Sequence, residues 1–213
     1  MADYKASARD LAESIRFSGD TLRTRPDGVP APRSILEAVL QNELRVSTAV
    51  TPGLYQRLEN VRQKLLLPER TIDAFIYASP EVQAACYASG TESCILRFSS
   101  ALVDLLDDDE FEFVCGHEVG HFLLKHGLSR MESHSDSLEF FMQQRAQEIS
   151  VDRIGLIACG SLDVSIRAMM KTVSGLSGEH LRYDVGAFLR QLDDGPGNGG
   201  SAASTHPSIF VRC

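Results

Sequence analysis

The stretch FEFVCGHEVGHFLL, residues 111–124, decides how this 213-residue sequence is read. Its apolar residues Phe111, Phe113, Val114, Val119, Phe122, Leu123 and Leu124 nearly encircle a helix, so the segment is expected to be buried. Inside it stand His117-Glu118-Val119-Gly120-His121. Four residues of helix turn through about 400°, which sets the two imidazoles one above the other on one face, able to grip one ion. Zinc suits neutral imidazole and a three-ligand site that keeps a fourth position for water. Glu118 stands too close to the first histidine to be a third ligand, yet is well placed to take a proton from that water. On a solvated helix the same letters would be two exposed histidines and a salt-bridging glutamate. The apolar surroundings argue otherwise, because buried polar groups need partners.

A third ligand must come from elsewhere, and Glu132, His134, Asp136, Glu139 and Glu148 are the downstream candidates. A third histidine six residues after the second, with glycine at three, would mark a metzincin; Leu124 and Gly127 occupy those places. His126 points about 140° away from His121 around the helix and reads as a surface or supporting histidine. Glu148 stands out because it sits mid-helix in RAQEISVDRIGLIAC with Asp152 one turn later. That spacing lets Glu148 bind metal while Asp152 accepts a hydrogen bond from the far nitrogen of a metal-bound imidazole. Taken alone, the same pair would be acids on a solvated face, with Asp152 beside Arg145 or Arg153.

Around this centre the chain is mostly helical. Residues 5 to 66 carry three helix signals, SARDLAESIRF, SILEAVLQNEL and LYQRLENVRQKLLL, the last with Thr51 as cap and Pro52 at the first helical position. Two β-prone runs, TIDAFIYA and ESCILRFS, predict a small sheet between Thr71 and Ser99. Helices are expected over SSALVDLL, from about Asp108 to His126, from about Ser137 to Ala158, over LDVSIRAMMKTV and over EHLRYDVGAFLRQL. GPGNGGSAAS then reads as a mobile loop or linker. The resulting expectation is an α+β, mainly helical fold. Residues 1–70 form a helical extension packed on a catalytic core of residues 71–213.

Composition narrows the function classes. Apolar residues make up 43% and charged residues 23%, which fits a folded globular chain. Acidic residues outnumber basic ones by 29 to 21, so nucleic acid and anionic membrane surfaces are poor partners. Five scattered cysteines do not make a disulfide framework and suit a reducing, cytoplasmic compartment. The N-terminus lacks an apolar signal core, and no apolar run approaches the roughly 18 to 20 residues of a membrane span. The acids of DDDEFE, residues 107–112, read as dipole-complementing residues at a helix start, and Cys115 as a core cysteine.

Three elements together resemble the gluzincin metallopeptidases of the M48 type: HEVGH, EISVD at 148–152, and the closing THPSIFVR at 205–212. That group includes CAAX-processing and HtpX-like membrane proteases and small soluble relatives. Its pattern is HExxH, then ExxxD, then HP-x4-R, and His117, Glu118, His121, Glu148, Asp152, His206 and Arg212 fall on it in order. The resemblance runs from about Thr71 to Arg212. It implies one zinc on His117, His121 and Glu148, with His206 joining Glu118 as a catalytic residue and Asp152 and Arg212 supporting the ligands. It also implies that Cys94 to Ser99 is an edge strand on which an extended substrate adds. Membrane members flank this core with spanning helices; none is read here, so the likeness is to a soluble form.

The function expected is a zinc-dependent endopeptidase acting on peptide or protein substrates through a metal-activated water and a glutamate base. A helical interaction module would instead hold its metal in a closed four-ligand clamp, for which no fourth ligand of fixed spacing is present. A latent enzyme would be blocked by its own termini, with His206, the Cys213 thiolate or the terminal carboxylate as a fourth ligand on the metal.

Overall fold

The computed structural model describes residues 35–89, 92–125, 138–190 and Arg212. The first predicted helix, residues 126–137 and the glycine-rich run lie outside them. Two helices and a short strand come first: α1 (Ile35–Asn42), β1 (Leu44–Arg45) and α2 (Pro52–Lys64). Pro52 opens α2, as expected, but the Thr51 side chain makes no capping bond; its hydroxyl accepts from the Ser47 backbone N–H at 3.0 Å. The hydroxyl serves the preceding turn instead of the helix end.

Strands β2 (Ile72–Tyr77), β3 (Ala84–Ala88) and β4 (Cys94–Ser99) join β1 in a four-stranded sheet of order β1-β2-β4-β3. β2 and β4 are parallel, while β1 pairs antiparallel with β2 and β3 with β4. This overturns the expectation that Cys94–Ser99 is an edge. β4 lies inside the sheet, and among the described residues β3 is the edge strand beside it. β3 was not foreseen because its sequence, AACYA, is poor in the β-branched residues that announce strands.

β4 is buried on both faces, which suits an interior strand. On one face Cys94, Leu96 and Phe98 join the main core, which also holds Phe111, Phe113, Val114 and Phe122. On the other, Ile95 and Phe75 pack against Val39 of α1. Removing a side chain such as Phe98 from water stabilises the fold by roughly 1.5–3 kcal/mol.

The helical part comprises α3 (Ser100–Leu105), α4 (Asp108–Leu123), α5 (Leu138–Cys159), α6 (Leu162–Ser174) and α7 (Val185–Arg190). α7 is shorter than EHLRYDVGAFLRQL suggested; Asp184 caps it by accepting from the Ala187 N–H at 2.8 Å. α4 is the central helix, and eleven of its sixteen residues are buried. It opens with a reciprocal cap: Asp107 accepts from the Glu110 N–H, and Glu110 accepts from the Asp107 N–H.

Two acids of the DDDEFE run do more than complement the dipole. Glu110 and Glu112 are both buried. Glu110 meets Lys171 of α6 at 2.5 Å and Arg167 at 3.3 Å. Glu112 accepts from Lys64 at 2.7 Å and Asn60 at 2.8 Å, both on α2. These pairs tie α4 to a helix on either side. Among the described residues no helix is long and apolar enough to cross a membrane.

Candidate metal centre

α4 carries His117, Glu118 and His121, and α5 carries Glu148 and Asp152, so the site depends on how closely these two helices approach. Small residues set that distance. A Cβ on Gly116 would lie 2.4 Å from the Ala158 Cβ, and one on Gly120 would lie 3.0 Å from the Val151 side chain. On the opposite helix, a Cβ on Gly155 would strike Phe113 at 2.8 Å. At Gly116 and Gly155 something must shift to admit a side chain, and at Gly120 the Val151 side chain would have to give.

The close approach brings three donors together. His117 Nε2 and His121 Nε2 are 3.2 Å apart, with Glu148 oxygens 3.7 and 3.6 Å from them respectively. Ligands on one tetrahedral zinc with bonds of ~2.1 Å stand about 3.4 Å from one another. The three side chains therefore fit such an ion. Among the described residues they are the one group of three or more His, Cys, Asp and Glu side chains able to hold a metal.

Behind the donors, His117 Nδ1 lies 2.9 Å from Asp152 Oδ1. An ionised carboxylate only accepts, so Nδ1 carries the ring proton and Nε2 presents its lone pair to the cluster. Arg212 donates two bonds to Asp152, from Nε at 2.8 Å and from Nη2 at 2.7 Å. It also stands 3.7 Å from Glu148 Oε2. Burial pushes the Asp152 carboxyl up, but the Arg212 and His117 hydrogen bonds outweigh it and hold the group below its ordinary value.

Glu118 behaves in the opposite way. Burial raises its pKa, the His117 charge works against that rise, Glu148 adds to it, and Arg212 opposes it less strongly. The balance is a carboxyl held above the usual range, the direction a proton-accepting group near neutral pH needs.

Chain comparison adds to the geometry. Residues 49–144 match the model of peptidase family M48. That match spans a little under half of the chain. The chain is 40% identical over 58 residues to a protein named metalloprotease YcaL from Escherichia coli K12, covering 27% of this chain and 21% of that one. It is 34% identical over 83 residues to a protein named protease HtpX homolog from a Sulfurovum species, covering 38% of this chain and 28% of that one. It thus spans about a quarter of the length of either relative. No solved structure matches at comparable stringency. The family match includes HEVGH and ends four residues before Glu148, so the position of Glu148 beside His117 and His121 comes from tertiary structure.

Other residues singled out in the sequence are placed differently. His126, Glu132, His134, Asp136, His206 and Cys213 lie outside the described residues, and Glu139 is on α5 with its side chain outside them. Cys115 is fully buried, and burial pushes its thiol well up. Two features went unread: Gly116 and Gly155 as packing residues, and the burial of Glu110 and Glu112. For the first a signal existed. Gly116 and Gly120 are one turn apart on an otherwise apolar helix, the mark of a close helix contact.

Proposed function

We propose that this chain is an M48-type zinc-dependent endopeptidase with a gluzincin-like core, holding one zinc on His117, His121 and Glu148. The observation that carries the reading is the convergence of those three donors beside Glu118. Bound there, zinc would supply Lewis acidity toward a peptide carbonyl and bring the pKa of water toward about 7.

The chain's own groups supply the rest. Glu118 accepts a proton from the attacking water and delivers it to the leaving amine, which its raised pKa favours. Asp152 keeps His117 in the tautomer that presents Nε2, and Arg212 keeps Asp152 ionised. His206 belongs to the proposal as a donor to the developing oxyanion. An extended peptide would lie along β3, which pairs only with β4 among the described residues and so offers an open edge. Residues 1–70 are proposed as an extension packed on the core of residues 71–213, and a cytoplasmic address follows from the free thiols of Cys86, Cys94, Cys115 and Cys159.

The deciding experiment measures metal content and cleavage of an unfolded protein, with and without a chelator. About one zinc per chain and cleavage that the chelator abolishes and added zinc restores are expected. Cleavage indifferent to the chelator would sink the proposal.

A further inference from the structure

Phe113 and His117 are one turn apart on α4, and Asp152 and Gly155 share a face of α5. The two pairs meet rung against rung. Phe113 lies over Gly155, where a Cβ would stand 2.8 Å from ring atom Cε2 and 2.9 Å from Cδ2. His117 lies against Asp152, with Nδ1 2.9 Å from Oδ1. A turn further along α4, His121 stands 3.6 Å from Glu148. Contacts that climb one helix while descending the other make an antiparallel ladder, and Phe113 closes its end away from Glu148.

The rings along this ladder also meet one another. The Phe113 and His117 centroids are 6.4 Å apart with planes at 42°, within the range of an aromatic pair. On the next turn His121 lies 4.9 Å from His117 at 73°. Phe113 is only 3% exposed, so packing fixes its ring.

We propose that Phe113 is a positioning residue of the metal centre, its ring wedged over Gly155 and holding the His117 imidazole in place. The service to a metal rests on the zinc reading above; the hold on the ring does not.

One hydrogen bond fixes a point, not a plane. With Nδ1 held by Asp152, the imidazole can still swing about that contact and carry Nε2 away from His121 and Glu148. A wall on each side stops the swing, and Phe113 is the wall toward the start of α4. That wall has to be large, because Gly155 contributes no side chain to it. A smaller residue at 113 leaves a gap beside His117, since surrounding structure closes only partly over removed atoms. An imidazole that has lost such a support binds metal more weakly.

Phe111 provides the control. It is as buried as Phe113, at 2% exposed, but its ring meets Phe98 of β4 at 4.9 Å. Phe111→Leu therefore removes core packing of the same kind from a different neighbour.

Proton magnetic resonance of the chelator-treated protein reads the ring, and cobalt ion, whose absorption reports ligand geometry, reads the centre. In the parent, nuclear Overhauser contacts between the Phe113 and His117 rings and an exchange-protected His117 Nδ1 proton are expected. Phe111→Leu should keep that proton, the cobalt spectrum and the cobalt affinity. Phe113→Leu, and the milder Phe113→Met, should lose the protection and bind cobalt on the order of 10-fold more weakly with altered absorption. Equal loss of cobalt affinity in Phe111→Leu would reduce Phe113 to a core residue and overturn the proposal. An unchanged proton and spectrum in the Phe113 variants overturns it too, as does the absence of ring-to-ring contacts in the parent. A parent that binds no metal, yet whose His117 proton depends on Phe113, refutes the zinc reading and upholds the hold on the ring.

Discussion

Arg212 grips Asp152 with two hydrogen bonds, at 2.7 and 2.8 Å, and the same carboxylate accepts from the imidazole of His117. A fork-to-carboxylate pair fixes orientation as well as charge. Asp152→Asn is therefore expected to weaken zinc binding on the order of 10- to 100-fold. Arg212→Lys, which keeps the charge but loses the fork, should weaken it measurably less than Arg212→Gln. Competition against a chromophoric chelator reads all three, and unchanged affinity throughout would remove Asp152 and Arg212 from the centre.

Glu118 and Glu148 should separate cleanly. Glu118→Gln is expected to keep zinc while cleavage falls by about 10²–10⁴-fold, because the amide keeps the shape and cannot take a proton. Glu148→Gln should lose zinc far more than the same change at Glu132 or Glu139. Equal zinc losses at all three positions would mean that the wrong acid has been assigned as ligand.

Gly116→Ala tests the helix contact. The added methyl would meet Ala158 at 2.4 Å, so α4 and α5 must part. Such overpacking costs typically ~1–3 kcal/mol. A lowered melting temperature accompanied by weaker zinc binding is expected, since the donors sit on both helices. A variant as stable as the parent would show that the contact is looser than 2.4 Å implies.

Acid should destabilise the protein through Glu112. Burial pushes this carboxyl up, but Lys64, Asn60 and Arg57 outweigh burial and hold it below its ordinary 4.5. For a depressed carboxyl the stabilisation is complete above the unfolded value and lost as pH falls through the folded one. Urea midpoints should therefore be steady near neutrality and fall below about pH 4.5. Glu112→Gln should begin less stable and lose less over that window. Parallel decline of the two proteins would assign the acid sensitivity to other groups.

His206 is tested by activity and affinity together. As an oxyanion donor, its replacement in His206→Ala should lower turnover by about 10²-fold and leave zinc affinity alone. A chain ending at Ser204 should be slower for the same reason. Faster cleavage by the shortened chain would instead mark residues 205–213 as an inhibitory plug.

The sequence by itself determined the relations that lie within one helix. The α4 period places His117 over His121 and turns Glu118 aside, whatever packs around them, because 3.6 residues per turn is a local property of the backbone. The strand character of TIDAFIYA and ESCILRFS was legible for the same reason. Only tertiary structure decided the relations between elements. Glu148 stands with the histidines because Gly116, Gly120 and Gly155 let α4 and α5 nearly touch. Glu110 and Glu112 look like exposed acids until α2 and α6 close over them with lysines. β4 lost its expected edge because β3 pairs on its far side, and a run as plain as AACYA becomes a strand only when a neighbour supplies the hydrogen bonds. Each of these depends on contacts distant in the chain, and no local pattern encodes the distance between two helices or the number of strands beside a third.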